Sequence, residues 1–154
     1  MQTVIENYTQ RVNKLQTIYD EISPRACANA SGDVFELLID DTISQFPSLV
    51  SLRNDFLTVE LNGYVMNNVQ VDRHIRNSLG KVVSVIEGKT YLDACYCKRV
   101  VVDFIEIASS SEIDENVDFV VLTGQKTIDP NTYNYYQEFC RKHTGRNFKL
   151  FVLK

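Results

Sequence analysis

The run Lys81-Val82-Val83-Ser84-Val85-Ile86 is apolar at almost every position, and it ends abruptly in Glu87-Gly88-Lys89. A strand that is apolar on both faces must be covered on both, so this segment predicts the central strand of a sheet and not an edge. Its polar end adds a second constraint. Alternate side chains of a strand share a face, so Glu87 and Lys89 project together while Gly88 adds no bulk to the opposite face. The preceding run Val69-Gln70-Val71-Asp72-Arg73-His74-Ile75 reads as another strand, and Asn77-Ser78-Leu79-Gly80 has the turn residues to fold it back. That hairpin brings Asp72 near Glu87. Two acids and a lysine then meet at one end of the central strand, which suits a metal ion with an ammonium beside it.

The rest of the chain supplies what such a strand packs against. Thr3-Val4-Ile5-Glu6 has the form of a capping box, and Val4, Tyr8, Val12, Leu15, Tyr19 and Ile22 follow at helical spacing, predicting a helix to about Ile22. Asp33-Val34-Phe35-Glu36 offers a second cap before a helix ending near Pro47. A short helical turn is expected over Ser48 to Asn54. The alternation of Leu57, Val59 and Leu61 with polar neighbours then begins a strand, and Asn67-Asn68 reads as a turn. Strands over about 57–66, 69–76 and 81–89 would form a three-stranded antiparallel meander. Val100-Val101-Val102 suits a strand, but Cys97, Val101, Phe104, Ile105 and Ala108 form a helical stripe, so 93–108 is read as a helix. A polar acidic loop follows over Ser109 to Asn116, then a buried strand at Phe119 to Leu122. A helix opened by Pro130 and stopped near Gly145 comes next, and a final strand over Phe148 to Leu153.

Composition bounds the partners. At 154 residues the chain is about one domain, and 44% hydrophobic with 23% charged residues is ordinary for a soluble globular protein. No stretch approaches the apolar length of a membrane span, and the first residues lack the basic and apolar regions of an export signal, so the cytoplasm is the expected compartment. A net charge of −4 argues against coating nucleic acid by global charge but leaves room for a locally basic cleft. Cys95-Tyr96-Cys97 lacks the spacing of a zinc knuckle or redox pair, and the four cysteines, with Cys27 and Cys140, are expected to be buried thiols.

The order helix, meander carrying Asp72 and Glu87-Gly88-Lys89, helix, strand, helix, strand resembles the PD-(D/E)XK nuclease family, which includes many type II restriction endonucleases. The resemblance covers about residues 31–153, although Val71 stands where the family's signature has proline. It implies an α/β fold with a restriction-endonuclease-like core, a central mixed five-stranded sheet flanked by helices. The domain would span 1–154, with an N-terminal helix and connector over 1–30 and the nuclease core over 31–154. It also implies that Asp72 and Glu87 hold Mg²⁺, for which Mn²⁺ could substitute, that Lys89 assists the attacking water, and that Glu36 joins the catalytic set. DNA would be the substrate, and cutting both strands would take a homodimer or a partner subunit.

The chemistry agrees with the residue types. Phosphodiester hydrolysis needs an activated water, stabilisation of charge at phosphorus and help for the leaving oxygen, and a hard cation held by one or two carboxylates answers all three. Each residue also has a plainer reading. Glu87 and Lys89 could form a solvated strand face, Asp72 could end pairing at a turn, and Glu36 could answer Asp33 as a capping-box residue. His74, on the face of Asp72, could flank the metal, contact phosphate or sit at the surface. Lys98 and Arg99 could contact DNA phosphates or serve as an ordinary polar helix face, and Tyr91 could line the groove or simply pack. A restriction-type endonuclease is the leading expectation. The alternatives are a repair, recombination or junction-resolving nuclease of the same fold, and a noncatalytic nuclease-like binding module.

Overall fold

In the computed structural model the described residues are 48, 50–53, 56–89 and 91–152. The helices expected before Pro47 lie outside them, as do Glu36 and Cys27. The elements run β1 (Val50–Arg53), β2 (Phe56–Leu61), β3 (Tyr64–Gln70), β4 (Arg73–Arg76), β5 (Val82–Lys89), α1 (Ala94–Ile107), β6 (Ile113–Thr123), α2 (Pro130–Thr144) and β7 (Lys149–Val152). Five strands form one mixed sheet in the order β1-β4-β5-β6-β7. β1, β4 and β5 are antiparallel neighbours, and β6 and β7 continue the sheet parallel to β5. The apolar strand β5 is thus paired on both sides, as its composition requires.

The two helices form for identifiable reasons. Asp93 caps α1 by accepting a hydrogen bond from the Tyr96 N–H at 2.8 Å, and Cys97, Val100, Val101, Phe104 and Ile107 make its buried stripe. Val102, the third of the β-branched run, is left facing out. Packing of the stripe therefore overrides the local strand preference of three consecutive valines. Asp129 caps α2 through the Thr132 N–H at 3.0 Å, Pro130 occupies its first turn, and Gly145 closes it with φ 81°. Phe104 stacks on Phe119 of β6 with ring centroids 4.8 Å apart and meets Phe148 at 6.3 Å, tying α1 to the sheet. Truncating a buried Phe of this kind costs about 3–5 kcal/mol. Among the described residues no helix is long and apolar enough to cross a membrane.

The meander differs from the expectation at its outer strand. Its third member is β1, within the segment read as a helical turn, whereas the residues around 57–66 fold into a separate two-stranded ribbon of β2 and β3. The turn of that ribbon is Asn62-Gly63, with φ 51° and 84°, both in the left-handed region that a tight two-residue hairpin demands. Asn67-Asn68 lies inside β3, beside a register shift against β2. The strand expected over 69–76 is divided by a bend at Asp72, so that its first residues belong to the ribbon and its last four to the sheet. β6 also begins earlier than expected, at Ile113. Of the described cysteines Cys97 and Cys140 are buried, but Cys95 is exposed because it falls on the outer face of the first turn of α1.

Candidate active site

The register of β4 on β5 pairs Arg73 with Ile86, so the next residue outward, Asp72, falls opposite Glu87. The bend at Asp72 frees its backbone from the ladder and turns it toward the acid. The Asp72 N–H donates to Glu87 Oε1 at 3.3 Å, and the Gly88 N–H donates to Asp72 Oδ2 at 2.9 Å. Each carboxylate is therefore held by the backbone beside the other. Lys89, two residues beyond Glu87 on the same face, places Nζ 3.6 Å from Glu87 Oε2.

This arrangement is electrostatically costly for Glu87. Only 4% of the residue is exposed, and burial, reinforced by the charge of Asp72 and opposed by Lys89, pushes its carboxyl up to about 8. Protonated, Glu87 can donate to Asp72; ionised, it calls for a cation. The Lys89 ammonium supplies part of that charge from one side. Two facing carboxylates with hard oxygen donors and a half-buried approach through Asp72 fit a small divalent cation, which takes few protein ligands and keeps water on its other positions. Among the described residues no three His, Cys, Asp or Glu side chains gather into a larger metal-binding group.

The first turns of α1 complete the surroundings. Lys89 Nζ lies 5.8 Å from the centroid of the Tyr96 ring, the Arg99 guanidinium lies 6.0 Å from the same centroid, and Tyr91 meets Tyr96 edge-on at 5.2 Å. Asp103, one further turn along, has its carboxyl raised by burial and by Glu106, with Lys89 and Arg99 pulling it down. Tyr96 and Asp103 do not stand out in the sequence. The signal available was the helix start at Asp93, which sets 96, 99 and 103 on one stripe beside the buried one.

The remaining expected residues divide. Arg99 and Lys98 are exposed and border one open groove with Cys95, Val102 and Asp103, and exposed Tyr91 stands at the edge of the Tyr96 cluster. The expectation for His74 at the DNA surface is corrected. It is paired with Val85, inward of Asp72 along the same face, and is 0% exposed, so phosphate contact is closed to it.

Neither a protein-family profile nor a curated protein sequence matches the chain. Solved structures do. The cAAA-bound form of NucC from P. aeruginosa ATCC27853 superposes with a TM-score of 0.60 at 12% identity, over 98% of this chain and 73% of that one. The cAAA-bound form of NucC from E. coli MS115-1 gives 0.59 at 11% identity, with the same shares of 98% and 73%. At these identities the likeness is one of fold, and the fold is the restriction-endonuclease-like α/β architecture.

Proposed function

We propose that this chain is a metal-dependent DNA endonuclease whose site is built from Asp72, Glu87 and Lys89. The observation that carries the reading is the reciprocal locking of the two carboxylates at the end of β5 with the lysine on the same face. The fold shared with NucC supports it. Asp72 and Glu87 would hold Mg²⁺, or Mn²⁺ in its place, and the cation, when bound, lowers the pKa of water and offsets charge gathering on the phosphate. Lys89, tethered between Glu87 and the Tyr96 ring, would orient the attacking water or steady a phosphate oxygen. Its ammonium is available for either task without leaving the site. Arg99 and Lys98 would position the backbone of the substrate, since phosphate contacts align without specifying sequence.

One such site hydrolyses one strand, so cleavage of a duplex takes two sites, from a homodimer or a partner subunit. Within this class the reading extends to restriction-type cutting, with repair or junction cleavage as the alternative. The test is incubation of supercoiled plasmid with the protein and Mg²⁺, beside Lys89→Ala. Nicked or linear product lost in the variant supports the reading, and equal activity in both sinks it. Linear, nicked and branched substrates separate restriction-type from structure-selective cutting. Because the NucC structures are cAAA-bound forms, an arm with added cAAA asks whether cutting here depends on that ligand. Mg²⁺ binding without any product would point instead to a noncatalytic module.

A further inference from the structure

The ion pair with Glu87 does not by itself fix Lys89. Its ammonium rides on a long flexible stem, the side chain is 23% exposed, and the 3.6 Å to Glu87 Oε2 is longer than the roughly 2.7–2.9 Å of a charge-assisted hydrogen bond. Glu87 also cannot give the same oxygens in full to Lys89 and to a divalent cation. A lysine that must stay beside the acid pair therefore needs a hold that takes up no carboxylate oxygen.

The face of an aromatic ring is such a hold, because its quadrupole attracts a cation within about 6 Å of the centroid. Lys89 Nζ lies 5.8 Å from the centroid of Tyr96, and the Arg99 guanidinium lies 6.0 Å from the same centroid. Arg99 borders the open groove on α1, so the ring stands between that groove and the acid pair. The ring is itself fixed. Asp93 accepts from the Tyr96 N–H at 2.8 Å, Tyr91 meets the ring edge-on at 5.2 Å, and the half-buried body of Tyr96 packs against the core. The backbone leading to it is sewn to the loop after β6, where the Leu92 N–H donates to the Gln125 carbonyl at 2.8 Å. The Leu92 carbonyl accepts from the Thr127 and Ile128 N–H groups, each at 3.0 Å. Cap, edge contact and packing give a flexible ammonium a rigid surface to rest on.

We propose, on the reading of this site as hydrolytic, that Tyr96 is the positioning residue for Lys89. The ring face keeps the ammonium beside Asp72 and Glu87 when those carboxylates are committed to a cation. Tyr96 acts through Lys89 and touches no reacting atom. Two consequences separate this role from simple packing. The ring matters and the hydroxyl does not, and the effect falls on rate more than on affinity, because Arg99 remains exposed and charged without the ring.

Single-turnover cleavage of supercoiled plasmid in Mg²⁺, over a range of protein concentrations, separates rate from affinity. Tyr96→Leu is expected to lower the maximal rate about tenfold, the scale of a partly desolvated cation–π contact, with the half-saturating concentration changed by less than about twofold. Tyr96→Phe, which keeps the ring, should stay within about threefold of the wild-type rate. If wild type cuts and Tyr96→Leu cuts as fast, or if Tyr96→Phe loses as much as Tyr96→Leu, the role of Tyr96 falls while the hydrolytic reading stands. A wild type that cuts nothing takes down both. Proton NMR of the wild-type chain, with and without Mg²⁺, gives a readout that needs neither turnover nor a folded Tyr96→Leu variant. The Lys89 ε-methylene signal, assigned by its loss in Lys89→Arg, should lie upfield of that of the exposed Lys98, under the ring current of Tyr96, and should stay there in Mg²⁺. A Lys89 signal at the position of Lys98, or one that moves there when Mg²⁺ is added, overturns the proposal.

Discussion

Two hairpins of this chain close with the same chemistry and end in opposite circumstances. The β4–β5 turn uses Asn77 and Gly80, with the Asn77 side chain accepting from the Leu79 and Lys81 N–H groups, and the β2–β3 turn uses Asn62-Gly63. The first hairpin is flanked by β1 and β6, so its backbone is satisfied on both sides and its polar end can hold Asp72 against Glu87 at a fixed register. The second has no flanking strand among the described residues, and its tip is bare. Glu112 joins the two. It accepts from Arg76 of β4 at 2.8 Å and from the Thr58 N–H of β2 at 3.1 Å. Burial pushes its carboxyl up, but the Thr58 and Arg76 hydrogen bonds prevail and hold it below its ordinary value. Rigidity comes from neighbours and not from the turn, which suits the first hairpin to the proposed chemistry and leaves an open surface on the other.

The largest effect should follow from breaking the rigid hairpin's polar end. Asp72→Asn, Glu87→Gln and Lys89→Ala are each expected to lower plasmid cleavage by about a thousandfold or more, the scale of losing a preorganised charge at a reacting phosphate. Their thermal melts should stay cooperative, because none of the three contributes apolar packing. Wild-type cleavage by any one of them removes that residue from the mechanism.

Glu87 also makes a prediction about stability. Its folded pKa of about 8 lies above the ordinary 4.5, so the stability it contributes is full below about 4.5 and is lost as pH rises toward 8. Each tenfold change in proton affinity between the folded and unfolded chain is worth about 1.4 kcal/mol, so metal-free protein should weaken by up to a few kcal/mol across that window. Glu87→Gln should flatten this part of the profile. Melts in chelator across the window check it, and parallel profiles for the two proteins would show that the acid pair is not strained.

What could be read in advance follows from how local each decision is. The Asn77–Gly80 turn, the alternation of Glu87 with Lys89 and the stripe of α1 are set by neighbours in sequence, and each was legible. β1 was not, because four residues of mixed polarity become a strand only by pairing with β4 across some twenty intervening residues. Asn62-Gly63 was a local signal that the alternation from Leu57 onward masked. His74 looked like a surface group because a strand's period says which face a residue takes and not how deep it lies. Asp103 resembled any solvated helix acid, and its partial burial beside Glu106, Lys89 and Arg99, which distinguishes it, is set by the tertiary fold.

A smaller effect is expected from the groove beside the site. Replacing Lys98 and Arg99 together by glutamine should weaken DNA binding about tenfold at low salt and reduce the slope of log affinity against log salt by roughly two, equally for all sequences. Measurement in catalytically silent protein with Ca²⁺ avoids cleavage. An unchanged slope would place the DNA face elsewhere.

The smallest effect compares the hairpins directly. Gly63 and Gly80 have φ of 84° and 76°, and a methyl group added at either would meet nothing within 4 Å, so alanine costs only backbone strain, about 1 kcal/mol at each. The outcomes should nevertheless differ. Gly80 is pinned, its carbonyl accepting from Arg76 Nη1 at 2.8 Å and its N–H donating to the Asn77 carbonyl at 3.0 Å, so the strain enters the global unfolding free energy. Gly63 sits between the exposed Leu61 and Tyr64, where a few residues can fray and relieve the strain without unfolding the core. Gly80→Ala should lower the melting temperature by about 3 °C and Gly63→Ala by less than half of that. Amide exchange should show the complementary pattern, with Gly63→Ala accelerating exchange only around the tip. Equal losses of melting temperature would mean that the ribbon is as firmly built into the fold as the hairpin that carries the site, and the contrast between them would fail.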